Sequence, residues 1–409
     1  MSDLNTAGTF IEVGHYQLQK YRQGAPGDAF LSQKNESDGR VITVLSDGLG
    51  SGIKAGVLST LTATMAMKFI AADIPIKRAA DIIMNTLPVC KDRGISYATF
   101  TLVDIEPSSA VRIMEYDNPG YILVREQTMV EPIKLCTTIE RRKKSSAPAR
   151  EAILYYSDYR ARPGDRLVFF SDGVTQSGMG TRMYPLGWGA SRAQDFVLDT
   201  IARDPRISAR ELARSVVVRA QQHDSFQPKD DITCGVIYFR HPRDLLIMTG
   251  PPINPDLDDT MARDFNAFAG RKIVCGGTTA NILSRQLNRA VKLNLKNIDP
   301  VVPPTSTMEG ADLVTEGIIT LGKVSELLER GARTGCSKML EEERPNGATR
   351  IVEHLLDSDR IQFVVGTKIN EAHQDPNMPV ELEIRRNVVK RIQNLLQEQY
   401  LKEVIVRYI

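Results

Sequence analysis

Cysteine is scarce in this chain. There are five in 409 residues (Cys90, Cys136, Cys234, Cys275 and Cys336), widely spaced and never in a C-x-x-C pair. That argues against a disulfide framework and a thiolate zinc site, and a reducing cytoplasmic setting is the natural expectation. An excess of either charge is also missing: 52 Lys and Arg face 50 Asp and Glu, a net charge of +2. The chain as a whole has no electrostatic reason to seek nucleic acid or a membrane surface. No uninterrupted apolar run approaches the roughly 18 residues of a membrane span. The N-terminus is polar, without a hydrophobic signal region, and there is no internal repeat or long low-complexity tract. Five histidines are present, and none can be assigned as a general acid; His223 reads as a surface residue at a helix end.

The chain does have apolar content for real cores, 42% of residues, and a length that suggests two or three domains. Three acidic stretches stand out. Val41-Ile42-Thr43-Val44-Leu45 reads as a buried strand and runs through Ser46 into Asp47-Gly48-Leu49-Gly50-Ser51-Gly52. Ile53, Val57, Leu58, Leu61 and Met65 then fall at helical spacing. Leu167 to Phe170 is a second apolar strand, ending in Ser171-Asp172-Gly173-Val174. Asp230-Asp231-Ile232-Thr233 precedes a third. A single Asp-Gly is most often an ordinary turn. Carboxylates recurring at three strand edges, with no His or Cys beside them, instead make a hard oxygen site suited to Mg²⁺ or Mn²⁺.

At these residues the chain resembles the metal-dependent PPM (type 2C) serine/threonine phosphatases. It is most similar to the branch of the stage II sporulation protein E phosphatase domain and the regulators of sigma-factor partner switching. Asp47-Gly48-Leu49-Gly50-Ser51-Gly52 matches the branch's Asp-Gly-Met-Gly-x-Gly element, with Leu49 at the Met position. Ser171-Asp172-Gly173-Val174 and Asp230-Asp231-Ile232-Thr233 match the next two acidic motifs. Gly27-Asp28-Ala29-Phe30 resembles an upstream Gly-Asp element, with Ala29 replacing Ser, and Pro163-Gly164-Asp165 precedes the second motif as in that branch. The resemblance covers roughly residues 8–240 of the sequence.

The resemblance implies an α/β/β/α sandwich and two Mn²⁺ or Mg²⁺ ions. Asp47 would bridge the ions, the Gly48 carbonyl would bind one, and Asp172 and Asp231 the other. Asp28 would contribute directly or through water, and Asp230 would support Asp231 or exchange roles with it. Gly173 and Asn118, the latter in the turn Asp117-Asn118-Pro119-Gly120, are the neighbouring candidates. A metal-bridged hydroxide would then attack phosphorus without a phosphoenzyme, and Cys234 would simply pack in the sheet. The helices from Ile53 to about Cys90 would transmit control.

Around these motifs Phe10 to Tyr21 reads as a strand, and Asp28 as a loop residue. Val111 to Tyr116 and Tyr121 to Arg125 read as a hairpin-like pair, and Gln176 to Gly187 as a loop beside the site. The basic run Glu140 to Pro148 is a solvated loop or a docking loop for an acidic phosphoprotein.

The boundary is expected near residue 242, giving a phosphatase domain over 1–242 and an α/β domain over 243–409. After it, strands and helices alternate as in an open, mostly parallel α/β sheet. Cys275-Gly276-Gly277-Thr278-Thr279-Ala280 stands where a strand turns into a helix. Thr278 or Thr279 could cap that helix. Alternatively Gly276, Gly277, Thr278 and Thr279 could bind a small anionic ligand, with Thr249-Gly250, Asp312 and Glu316-Gly317 at neighbouring strand ends.

The expectation is a metal-dependent protein phosphatase acting on a phosphorylated regulatory protein, by resemblance an anti-sigma-factor antagonist, and gated by the second domain. Two alternatives stand beside it. One is a pseudophosphatase that binds without hydrolysis. The other is a bifunctional protein whose second domain acts on a small phosphorylated ligand. A homodimer is compatible with all three.

Overall fold

The computed structural model describes residues 9–35, 38–50, 52–86, 98–140, 151–294, 299–334, 339–340, 342–368, 381–400 and 402–409. The basic run beyond Glu140, Cys90 and Cys336 lie outside them. The chain divides into two units, Met1–His241 and Pro242–Ile409.

The first unit contains two antiparallel sheets. One has the order β1-β11-β10-β6-β7, from β1 (Phe10–Leu18), β11 (Ile232–Arg240), β10 (Arg166–Phe170), β6 (Ile122–Arg125) and β7 (Thr128–Val130). The other has the order β2-β3-β4-β5-β9-β8, from β2 (Asp28–Lys34), β3 (Val41–Gly48), β4 (Ala98–Ile105), β5 (Ala110–Tyr116), β9 (Glu151–Arg160) and β8 (Lys134–Glu140).

The period-two alternation of each strand sorts its side chains between two layers. Val41, Leu45, Val103 and Ile113 from one sheet meet Leu167, Phe169, Ile237 and Phe239 from the other. The alternate residues Ile42, Val44, Phe100 and Leu102 pack under α1 (Ile53–Ala71) and α2 (Ile76–Thr86). On the far side Val168, Phe170, Cys234 and Val236 pack under α4 (Ala190–Arg203) and α5 (Ala209–His223). The result is the expected α/β/β/α sandwich.

α1 has the length and apolarity of a membrane span, with 19 residues and a mean hydropathy of 1.2. It buries Ala55, Ala63, Ala66 and Ile70 against its own sheet and carries Lys54 and Lys68, as a core helix does.

Two local expectations need correction. Asp28 is not in a loop: it opens β2, because Asp28 to Lys34 pairs residue for residue with Val41 to Asp47. Nor do β5 and β6 form a hairpin: β5 pairs with β4 and β9, whereas β6 pairs with β10 and β7 in the other sheet. The turn through Asp117, whose φ is +55°, carries the chain from one sheet to the other.

The second unit holds one seven-stranded sheet, β14-β15-β16-β13-β12-β17-β18. β16 (Leu313–Thr315), β13 (Arg271–Cys275), β12 (Asp244–Thr249), β17 (Arg360–Val365) and β18 (Glu403–Tyr408) run parallel. The short β14 (Val291–Leu293) and β15 (Ser306–Met308), not foreseen from sequence, add an antiparallel edge. α6 (Asp258–Ala267) and α7 (Gly277–Leu287) cover one face, through Met261, Phe265 and Leu283. α8 (Ile318–Thr334), α9 (Gly347–Leu356) and α10 (Glu381–Glu398) cover the other, through Leu321, Val324, Ile351, Val352, Val389 and Ile392. Burial on both faces explains why Leu245 to Met248 is apolar without alternation.

Candidate active site

The acids gather where the apolar inter-sheet layer ends. Val41, Leu45 and Asp47 share one face of β3, so the strand that supplies core residues also aims Asp47 between the sheets. Asp28 lies directly opposite Asp47 in the antiparallel register. From the other sheet Thr233, also on the inward face, donates its hydroxyl to Asp28 Oδ2 at 2.6 Å. Asp28 is 4% exposed, and its Oδ1 is buried without a hydrogen-bond partner.

Two carboxyls face to face across a strand pair repel when both are ionised. Burial pushes the Asp28 carboxyl up to about 7, and neighbouring Asp231 adds to this. Burial also holds Asp47 well above the usual carboxylate range, reinforced by Asp28, Asp172 and Asp230. Asp230 is raised by burial and by its neighbours Asp172 and Asp231.

Asp172 opens the one-turn helix α3 (Asp172–Thr175), immediately after β10, and its Oδ2 accepts a hydrogen bond from Gln176 Nε2 at 2.6 Å. Gly173 is required by a close approach: a Cβ there would lie 2.1 Å from the Asp231 carbonyl. Gly48 is equally confined, its hypothetical Cβ lying 2.1 Å from the Ala55 carbonyl of α1. The residue that follows Asp47 is therefore pressed against the helix. Asn118 reaches the same edge one strand away. Its Oδ1 accepts from the hydroxyl of Thr99, the register partner of Asp47, and its Nδ2 donates to Thr101 Oγ1 at 3.0 Å.

The two adjacent aspartates separate cleanly. Asp231 is 3% exposed and spends both oxygens on backbone N–H groups, of Lys20 at 3.1 Å and Gly27 at 2.9 Å. It pins the segment that leads into Asp28. Asp230 is half-buried and is the member that interacts with both Asp47 and Asp172. Of the two, Asp230 is the one set among Asp47 and Asp172, whereas the carboxylate of Asp231 is turned to the backbone.

Among the described residues, no three His, Cys, Asp or Glu side chains stand in ion-holding geometry. Asp28 and Asp47 face each other across the strand pair, and Asp231 accepts from backbone N–H groups. The donor set nonetheless fits a hard divalent cation: oxygen ligands only, mutually repelling, with one buried carboxylate oxygen unsatisfied.

His223 is not a surface residue. It ends α5 half-buried between Tyr184 and Trp188, with ring centroids 4.4 and 4.8 Å away. Cys234 lies in the core, and burial raises its thiol far above the ordinary range. Sequence reasoning missed Thr233, Gln176 and the amides of Lys20 and Gly27. Thr233 was within the third motif, but only the fold brings it to Asp28.

In the second unit Gly276 (φ +128°) is the N-cap of α7, and no side chain caps that helix. The expected Thr278 or Thr279 cap is therefore absent, because both lie inside the helix. Thr278 is exposed, whereas Thr279 Oγ1 is buried without a partner. Glu316 and Gly317 lie at the same edge, the Glu316 carboxylate 3.6 Å from where Gly277 would carry a Cβ. Asp312 does not. It precedes β16 and accepts from the Lys272 N–H at 2.8 Å, at the opposite end of the strands.

Residues 37–240 match the family model of Stage II sporulation protein E (SpoIIE). No curated protein matches the chain. Similar solved structures include the PP2C phosphatase domain with a regulatory-domain fragment of SpoIIE from Bacillus subtilis. It is 18% identical over 57% of this chain and 65% of that one, a little under two thirds of its length, with a TM-score of 0.45. The RsbU and RsbW domains of a Mycobacterium tuberculosis protein are 16% identical over 63% of this chain and 68% of that one, with a TM-score of 0.43. RsbX in complex with magnesium is 17% identical over 56% of this chain and 95% of that one, with a TM-score of 0.38.

Proposed function

From the premise that residues 37–240 form a PP2C-like phosphatase domain of the stage II sporulation protein E family, we propose that the chain is a divalent-metal-dependent protein serine/threonine phosphatase. The observation that carries this is that Asp47, Asp172 and Asp230 act on one another electrostatically at one strand-end edge, where the buried Asp28 lies opposite Asp47 in the strand register. Asp47, Asp172 and Asp230, with the Gly48 carbonyl, would hold two Mn²⁺ or Mg²⁺ ions, and Asp28 would support them. Bound there, the ions supply charge neutralisation for phosphate oxygens and a water of lowered pKa.

The chain's own groups prepare the cleft. Thr233 holds one oxygen of Asp28, Gln176 orients Asp172, and Asp231 fixes the segment entering β2. Cys234, the cysteine beside the third acidic motif, is no nucleophile, since it is buried and burial keeps its thiol protonated. The substrate in this reading is a phosphoserine or phosphothreonine on a cytoplasmic regulatory protein of the anti-sigma-factor-antagonist type. Control by the second unit would reach the cleft through α1, whose Ala55 carbonyl abuts Gly48. That unit would sense a partner or a small anionic ligand at Gly276, Gly277, Thr278 and Thr279. The chain would act alone or as a homodimer.

The test is Mn²⁺-dependent hydrolysis of p-nitrophenyl phosphate and of phosphoserine, phosphothreonine and phosphotyrosine peptides by the full chain. Turnover of the first two peptides, lost in Asp172→Asn by about 10²-fold or more, is expected for a residue that holds a catalytic ion. A second reading, binding without hydrolysis, is favoured by the spacing of the acids, no three of which stand in ion-holding geometry among the described residues. Tight phosphopeptide binding with no turnover at millimolar Mn²⁺ would establish it instead.

A further inference from the structure

Asp224 caps the C-terminus of α5 and is 7% exposed. A carboxylate there sits at the negative end of the helix dipole, an unfavourable place for the helix alone. Its hydrogen bonds give it another purpose. Oδ1 accepts the Gly178 N–H at 2.8 Å, and Oδ2 accepts the Lys229 N–H at 3.2 Å. Gly178 lies in the turn-rich segment that leaves α3, six residues after Asp172, and Lys229 immediately precedes Asp230. One buried carboxylate thus ties together the two segments that carry two of the cleft's acids.

Other contacts close the same ring. Lys229 Nζ donates to the Met179 carbonyl at 2.7 Å, and Ser177 Oγ lies 3.3 Å from His223 Nδ1. Gly178, at φ +74°, fits where a Cβ would come within 2.9 Å of the Tyr184 ring and 3.2 Å of His223 Cβ. Gln176 returns the connection to Asp172. Two donors from separate segments need two acceptor oxygens on one rigid group. An amide offers one acceptor and turns its NH₂ toward the other N–H.

We propose that Asp224 is a positioning residue, a clasp that sets the spacing of Asp172 and Asp230 and through it the affinity of the cleft for divalent cations. This rests on the reading that those two acids hold the ions. Groups that orient metal ligands without touching the metal typically contribute ten- to a hundredfold in affinity.

The test is Mn²⁺ binding to the full chain, followed by titration calorimetry well below the melting temperature, for wild type, Asp224→Ala, Asp224→Asn and Leu212→Ala. Leu212 is buried at the start of the same helix and serves as a control for lost stability. The expected result is a dissociation constant raised about tenfold or more in Asp224→Ala. Asp224→Asn should fall between it and wild type, and Leu212→Ala should be unchanged. Unaltered binding in Asp224→Ala, or an equal loss in Leu212→Ala, overturns the clasp. If wild type binds Mn²⁺ but hydrolyses no phosphoester, the phosphatase reading fails and the titration still judges Asp224. If wild type binds neither Mn²⁺ nor Mg²⁺, both fall.

Discussion

The two units end their strands on opposite kinds of polar chemistry. In the first, carboxylates from both sheets meet at one edge and raise one another's affinity for protons. In the second, an uncapped helix N-terminus and a buried threonine hydroxyl stand beside Glu316 at the edge of a parallel sheet. Repulsion between like charges is specific: it has a sign, and only a cation or a proton relieves it. Backbone amides at a helix start are common to all helices and discriminate weakly among anions, hydroxyls and water. The first edge therefore points to a class of cofactor, and the second points only to a place.

That contrast can be broken most directly at the paired aspartates. Asp230→Asn should reduce Mn²⁺-dependent turnover by about 10²-fold or more while leaving the melting temperature near that of wild type. Asp231→Asn should do the reverse in emphasis, because it removes one of two charge-assisted acceptors for buried N–H groups. It should lower stability by about 2 kcal/mol, or several degrees in a unit of this size. Equal losses of activity at unchanged stability would remove the distinction drawn between them.

A smaller effect follows from the protons. The Asp28 carboxyl titrates near 7 in the folded chain, against an ordinary value of 3.8. Between those values the folded state binds more protons than the unfolded one, so metal-free stability should fall as pH rises from about 4 to about 7. Mn²⁺ replaces the proton, so it should raise the melting temperature more at pH 8 than at pH 5. A metal-induced shift that does not depend on pH would contradict the carboxylate cluster.

The smallest effect belongs to the second unit. Thr278 is exposed and caps nothing, so Thr278→Ala should change stability by less than about 0.5 kcal/mol. A loss of inorganic phosphate binding in that variant, read by calorimetry, would give this edge the specificity it now lacks.

Much of the first unit was legible because its strands alternate strictly and its acids sit at strand ends beside glycines. β3 and its Asp47-Gly48 could be located from apolar period and turn residues alone. β2 was missed because Ala29 to Lys34 mixes polar and apolar residues, and its identity comes from pairing with β3. β5 and β6 read as a hairpin because a turn sequence fixes a change of direction without saying which sheet receives the next strand. Asp231 and Asp230 were interchangeable in sequence, since adjacent residues differ only in which way the backbone turns them. Asp312 was assigned to the wrong edge because a strand of three residues has ends too close together to tell apart by pattern.

The residues alone determined the layer each apolar side chain would occupy, the strand ends at which carboxylates would collect and the hard-cation character of that collection. These follow from local periodicity and from the chemistry of the groups themselves. Only the tertiary structure decided that Asp28 faces Asp47, that Thr233 reaches Asp28 from the opposite sheet, and that Asp224 joins the segments of Asp172 and Asp230. Those contacts span up to 205 positions of sequence, and their geometry is set by strand register and sheet packing, which no local pattern encodes.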